Sequence, residues 1–324
     1  MSEIEIAIDR GVHVRARGKY LLIDPTGIPS GKPDVVLLSH AHEDHYSLRV
    51  LRALHKVPLV MSEASRLLID SRGRLGNVLT VKPGQEVEIA GLRIAAHEAG
   101  HIIGSLQFSF DLGETVVVYT SDFNLDRRLV LRPAELVKGD LLIIDATYGS
   151  PEYIFPPRAE LYKAIVNRIS QIVESGRSVV VKGRKLGVAQ EVTALVSMAT
   201  HLVPLVESSV AKYNELYERL GEPLGRYVSW DGGSVPESST VLVSRLGARH
   251  EGFSETIVCT GWALRRGFPL SSHADFAQLV RYVLESKAAF VVPFAGFRHE
   301  FSSFLRENYG IEVYGIEDEV RLKP

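Results

Sequence analysis

The chain has almost no cysteine: Cys259 is the single one in 324 residues. A disulfide framework and any zinc cluster of paired thiolates are thereby excluded, and a reducing cytoplasm is the expected compartment. Long apolar runs are also missing. The longest, DVVLL, TVVVY and DLLII, are strand-sized and too short to span a bilayer. The opening segment MSEIEIAIDRGVHVRARGKY has no uninterrupted apolar stretch, so no signal peptide is expected. Neither charge sign dominates, with 37 Lys and Arg against 39 Asp and Glu, so a surface for a polyanion has to be local. Tandem repeats and low-complexity tracts are absent. What remains, 45% hydrophobic and 23% charged residues, is the composition of a folded protein with one large core or two moderate ones.

Short β-rich runs fill the first half: EIEIAI, YLLID, DVVLL, NVLTV, LRIAAH, LQFSF, TVVVYT and LLIID, separated by Gly, Pro and Asp turn residues. Helical patterns interrupt them at 46–55 and 62–71. After Asp145 the texture changes. Apolar residues at helical spacing (Leu161, Ile165, Ile169, Ile172) predict a helix over 158–174, then a strand SVVVK and helices over 187–199 and 209–220. A loop is expected at 229–240, then strands TVLVS and TIVCT and a helix–strand–helix–strand tail. This pattern predicts an α/β module at 156–266 inserted into a β-rich body made of 1–155 and 267–324. The insert carries 14 Lys and Arg against 11 Asp and Glu, which leaves the acidic excess to the body. A basic insert suits a polyanionic partner.

The chemistry is concentrated in SHAHEDHY, which directly follows the buried-strand run DVVLL. Residues two apart in an extended loop point the same way, so His40 and His42 can hold one metal ion, while Asp44 and His45 lie where a turn can aim them at a second. Imidazoles with carboxylates suit zinc or another first-row divalent ion. His101, between glycines in EAGHIIGS, and Asp122, at the end of the strand TVVVYT, complete the set. Asp122 is placed to bridge two ions. His97 competes with His101 as the third imidazole, but the glycines around His101 allow its loop a closer approach.

The order HxHxDH, Gly-flanked His, strand-end Asp resembles the metallo-β-lactamase superfamily. With LLIIDATYGSPEY, the later SSHADF and the insert between them, the chain is similar over nearly its whole length to the β-CASP nucleases. DATYGSPEYIFP and the TGW at 260–262 most resemble the DNA cross-link-repair group, and KLGVAQE resembles a loop of the ligase-associated exonucleases. This resemblance implies an αββα sandwich with an inserted α/β β-CASP cap, the metals lying between them. It implies metal-assisted phosphodiester hydrolysis of DNA, as a 5′→3′ exonuclease in repair, with an RNA-processing nuclease as the alternative. Zinc is expected in one tight site, and a weaker divalent site could take Mn or Mg.

Carried onto this sequence, the family motifs put Asp145 behind the metal ligands and His273 on the phosphate or leaving group, with Asp44 counted as catalytic as well as a ligand. Relatives that process RNA and the ligase-associated exonucleases place a further histidine where this chain has Ala295, and the cross-link-repair group lacks it as this chain does. His299 could replace it only if its loop folds back. Phosphate contacts are expected from Lys182, Arg184 and Lys185 in KGRKLG, and from Trp262 and Arg265.

Overall fold

The computed structural model describes residues 3–233, 239–314 and 319–322, the last segment as backbone. The chain divides into two compact units. The first comprises Met1–Leu125, Pro133–Glu152 and Ala274–Pro324; the second comprises Asp126–Arg132 and Tyr153–His273.

The first unit is built on two seven-stranded sheets. One runs in the order Glu319–Leu322, Ile4–Ile8, Val12–Ala16, Lys19–Ile23, Val35–Leu37, Leu59–Ser62, Val78–Val81. The other runs Glu312–Val313, Phe290–Phe294, Leu141–Asp145, Thr115–Tyr119, Leu106–Leu112, Leu92–Glu98, Glu86–Ile89. Both are mixed, and the strands that carry the chemistry pair in parallel, Lys19–Ile23 with Val35–Leu37 and Thr115–Tyr119 with Leu141–Asp145.

The uninterrupted apolar runs have a simple cause: these strands are buried on both faces. In Leu141–Asp145, Leu141 and Ile143 enter the core between the sheets, while Leu142 and Ile144 meet Phe276, Leu279 and Phe301. These last belong to the helices Phe276–Ser286 and Arg298–Tyr309. On the other side, Leu22, Val36 and Met61 pack under Leu51 and Ile69 of the helices Leu48–Ala53 and Glu63–Ile69. The layers are therefore helix, sheet, sheet, helix, the expected sandwich.

The second unit is a five-stranded parallel sheet ordered Val228–Trp230, Leu205–Glu207, Val241–Arg245, Val179–Gly183, Glu255–Val258. The helices Arg158–Glu174, Val188–Ala199 and Ser208–Arg219 accompany it. Leu161, Ile165, Ile169 and Ile172, the periodic residues of the sequence, all lie in its core. Part of the loop expected at 229–240 is strand, since Val228–Trp230 pairs with Leu205–Glu207; residues 234–238 of it lie outside the described residues. Cys259 is buried, and burial pushes its thiol up to about 12, which leaves it unreactive at neutral pH. No helix among the described residues is long and apolar enough to cross a membrane.

A buried ion-pair cluster also lies in this unit. Glu191 and Arg128 are both fully buried, with guanidinium nitrogens 3.0 and 2.9 Å from one carboxylate oxygen. Burial opposes charge on Glu191, but Arg128 and then Arg158 outweigh it and hold its carboxyl below the ordinary range. The stability this carboxylate contributes is therefore full at neutral pH and is lost as pH falls through its depressed folded-state value. Glu191→Ala, which strands two buried cations, should cost about 3–5 kcal/mol in denaturant unfolding of the full chain. A loss below about 1 kcal/mol would mean water solvates the cluster.

Candidate metal centre

Three strand ends meet at one edge of the first unit. The strand Val35–Leu37 runs out into Ser39, His40 and His42; Thr115–Tyr119 runs out into Ser121 and Asp122; Leu141–Asp145 ends on Asp145 itself. The two sheets are tied there by the Leu106 N–H on the Ser39 carbonyl at 2.9 Å. The loop bearing His101 packs against them through Gly104. This residue has φ +73°, and a Cβ on it would lie 2.4 Å from Ala64 Cβ and 2.5 Å from Ser62 Oγ. Only glycine fits so close an approach.

His40, His42, His101 and Asp122 are all buried and each offers one ligand atom, the four lying within 4.8 Å of one another. His42 Nδ1 is 3.1 Å from His40 Nε2 and 3.0 Å from His101 Nε2. Asp122 Oδ2 is 3.6 and 3.5 Å from those same two Nε2 atoms. Four ligands about 2.0–2.1 Å from a tetrahedral ion stand about 3.3 Å apart, so the spacing of this set fits a zinc-like ion. Burial, then the neighbouring His45, hold the His40 imidazole well below its ordinary pKa against the pull of Asp122. It is neutral, the state a ligand needs.

Behind this set stands Asp24, buried at the end of the strand Lys19–Ile23. Its Oδ1 accepts the Ser39 N–H at 2.7 Å. Its Oδ2 accepts the Ser39 hydroxyl at 2.6 Å, the Tyr119 hydroxyl at 2.8 Å and His45 Nδ1 at 2.9 Å. Ser39 has one proton to give and gives it to Asp24. Its Oγ, 3.0 Å from His40 Nδ1, is then the acceptor, so Nδ1 carries the ring proton and Nε2 keeps its lone pair for the metal. Tyr119 stays protonated, because burial and Asp24 raise its pKa well above the usual phenol value. Asp24 and Ser121 both hold left-handed backbone, φ +49° and +56°, so strain of about 1–3 kcal/mol per residue gathers at this edge. Sequence reasoning overlooked Asp24, although YLLID carries the same strand-end signal as Asp122 and Asp145.

His45 joins a second group with Asp24 and His40. Its Nε2 is 3.4 Å from Asp122. Burial disfavours its charge, but Asp122 and Asp24 prevail and raise its pKa well above the ordinary imidazole range. Asp44 is exposed two positions after His42, and the group that converges around His45 also contains Asp24, which the sequence reading did not name. His97 lies outside the cluster, bonded to Ser109 Oγ at 2.8 Å and facing Glu135 at 3.5 Å. Asp145 is buried, its Oδ1 accepting the N–H and hydroxyl of Thr147. Ala295 is exposed at φ +60°, and His299 is exposed on the helix Arg298–Tyr309 beside Arg298.

His273 is half-buried and is the last residue of the second unit. Its successor Ala274 donates to the Phe123 carbonyl at 2.6 Å, next to Asp122 in the chain. In the second unit, Lys182 and Gly183 end one strand, and the loop Arg184–Gly187 leads into the helix Val188–Ala199. Two of the N–H groups there are engaged internally, Gly187 with Gln190 Oε1 at 2.7 Å and Ala189 with the Arg184 carbonyl at 3.1 Å. Lys185 Nζ sits 5.3 Å from the Tyr213 ring centroid. Trp262 is 55% exposed, edge-on to Tyr153 at 5.3 Å, with Arg265 exposed three residues on.

Residues 12–121, which hold five of the six sequence-predicted ligands, match the beta-lactamase superfamily domain. The chain is 29% identical over 307 residues to a protein of Opitutus terrae named "Probable DNA ligase", covering 88% of this chain and 29% of that one. It is 28% identical over 182 residues to an "RNase J-like protein" of Methanocaldococcus jannaschii, covering 51% of this chain and 43% of that one. The chain thus spans less than half of either curated relative. A crystal structure of a protein of unknown function from Enterococcus faecalis superposes with a TM-score of 0.69 over 99% of this chain and 100% of that one, at 12% identity. The fold is that of a metallo-β-lactamase domain with an α/β unit inserted.

Two measurements test the centre. His42→Ala should lose the tight metal ion on elemental analysis, and a wild-type content would remove the assignment. Asp24→Asn should keep the ligands but weaken metal affinity by about 10–100-fold in chelator competition; unchanged affinity would reduce Asp24 to a structural role.

Proposed function

We propose that the chain is a metal-dependent nuclease of the β-CASP type. The observation that carries this reading is the convergence of His40, His42, His101 and Asp122 at the ends of buried strands. Relatives named for RNA cleavage and DNA joining support a nucleic-acid substrate. When bound, a divalent ion supplies a lowered pKa for water and positive charge to offset that of a phosphodiester. The chain's own residues do the rest. His40, His42, His101 and Asp122 hold the ion, zinc in this reading. Asp24 and Ser39 fix the tautomer of His40. His45 and Asp122 form one side of a weaker second divalent site. Asp145 holds the edge behind the ligands, and His273 gives a proton from its ring to the leaving oxygen or stabilises charge on the phosphate.

The second unit, in the role of the β-CASP cap, brings Lys182, Arg184, Lys185 and Arg265 to phosphates and Trp262 to a base. DNA is the favoured substrate and 5′→3′ exonucleolysis in repair the favoured role; the long match to a protein named for DNA ligation supports only the choice of DNA. The RNase J-like relative favours a second reading, an RNA-processing nuclease.

Digestion of end-labelled single-stranded DNA and RNA of one sequence, with 5′-phosphate or 5′-hydroxyl ends, separates these. DNA should be cut faster, and 5′-phosphate ends faster than 5′-hydroxyl ends; faster RNA cleavage selects the second reading. His273→Ala should lower turnover by about 10²–10⁴-fold with the tight metal retained. Loss of that metal would make His273 a ligand instead.

A further inference from the structure

The charge cluster of the second unit has one arm that reaches beyond Glu191. Arg158, 7% exposed at the first position of the helix Arg158–Glu174, uses three corners of its guanidinium in three directions. One nitrogen lies 3.6 Å from Glu191 and another 3.3 Å from Asp126. The third donates to the main-chain carbonyl of Ser271 at 2.7 Å. Ser271 in turn accepts the His273 N–H on its Oγ at 2.9 Å. The same Glu191 is held by Arg128 and by the hydroxyl of Tyr162, which also accepts the Leu129 N–H at 3.2 Å. The cluster therefore gathers 126–129, where the chain first enters this unit, and 271–273, where it leaves it.

A buried guanidinium is costly, and well-packed apolar side chains would hold these elements together as well. The planar fork hydrogen-bonds the Ser271 carbonyl while its charge faces both carboxylates, a fixed geometry that an ammonium on a flexible stem does not reproduce. We propose that Arg158 is a positioning residue for His273, acting through Ser271. The Ser271 carbonyl is fixed by the fork, the Ser271 hydroxyl fixes the His273 N–H, and the imidazole is presented in one orientation. This rests on the role proposed above for His273.

The test is a pair of mutant cycles on the full, metal-loaded chain: Arg158→Lys and Ser271→Ala, each alone and in a His273→Ala background, with kcat, KM, metal content and thermal midpoint measured for all. Each single variant should lower kcat about 10–100-fold with KM and tight metal nearly unchanged. In the His273→Ala background neither should lower kcat further, because the group they position is gone. Losses that multiply in the double variants would overturn the proposal, as would wild-type kcat in a folded Ser271→Ala protein. Should Arg158→Lys fail to fold, the Ser271 cycle decides alone. Undiminished turnover in His273→Ala would instead reject the role of His273 itself, an outcome recognisable from that single variant.

Discussion

Three imidazole nitrogens and a carboxylate oxygen, all buried, meet within 4.8 Å of one another, and such a meeting is unfavourable unless positive charge sits among them. With the His40 proton on Nδ1, its Nε2 lone pair faces His42 Nδ1 across 3.1 Å. A proton on His42 can relieve one such contact at a time. A divalent ion relieves all of them, and the 3.0–3.6 Å spacings are those of its coordination sphere. The surrounding structure is organised to keep these atoms together against their mutual repulsion. Two sheets end at one edge, and their terminal residues are fixed by hydrogen bonds between the sheets rather than by loops alone. Asp24 accepts four bonds at this edge, two from Ser39 and one each from Tyr119 and His45, and the one from Tyr119 crosses between the sheets.

The motif of His40, His42 and His45 was legible because its members are neighbours in sequence and follow a strand whose burial the residues DVVLL announce. His101 was separable from His97 for a local reason as well, its flanking glycines, and Gly104 proves to be the residue that lets the loop close on Ser62 and Ala64. Asp24 could have been found, since it ends an apolar strand as Asp145 does. Tyr119 and Ser39 could not. Tyr119 is 95 residues from Asp24, and nothing local distinguishes it from a core tyrosine.

The fold shows the same division. Strands buried on both faces stood out as apolar runs, and the helix over 158–174 was readable to its ends. Val12–Ala16 escaped notice because Arg15 and His13 alternate with its inward Val12, Val14 and Ala16. Those polar residues are themselves satisfied across the sheet, Arg15 by Glu5 at 3.0 Å and by the Tyr20 ring at 4.2 Å, and His13 by the Tyr20 hydroxyl at 2.6 Å. Leu59–Ser62 is too short for a pattern and becomes a strand only because Val36–Leu37 and Val78–Val81 flank it.

The second divalent site proposed above is the weaker of the two for a reason that lies in shared atoms. That site shares Asp122 with the first, and its His45 is tied through Nδ1 to Asp24 Oδ2, which also accepts the Ser39 and Tyr119 hydroxyls. An ion there shares the Asp122 carboxylate with the first and has to displace the positive charge that Asp122 and Asp24 favour on His45. One strand could have supplied a fresh ligand. Phe290–Phe294 pairs in register with Leu141–Asp145, Phe294 against Asp145, so residue 295 emerges at the same edge. It is alanine, in left-handed backbone, before a Gly296 whose added Cβ would lie 2.3 Å from the Thr147 Cα. A methyl group offers nothing to a metal. The unequal strength proposed for the two divalent sites follows from that sharing of atoms and from the missing donor.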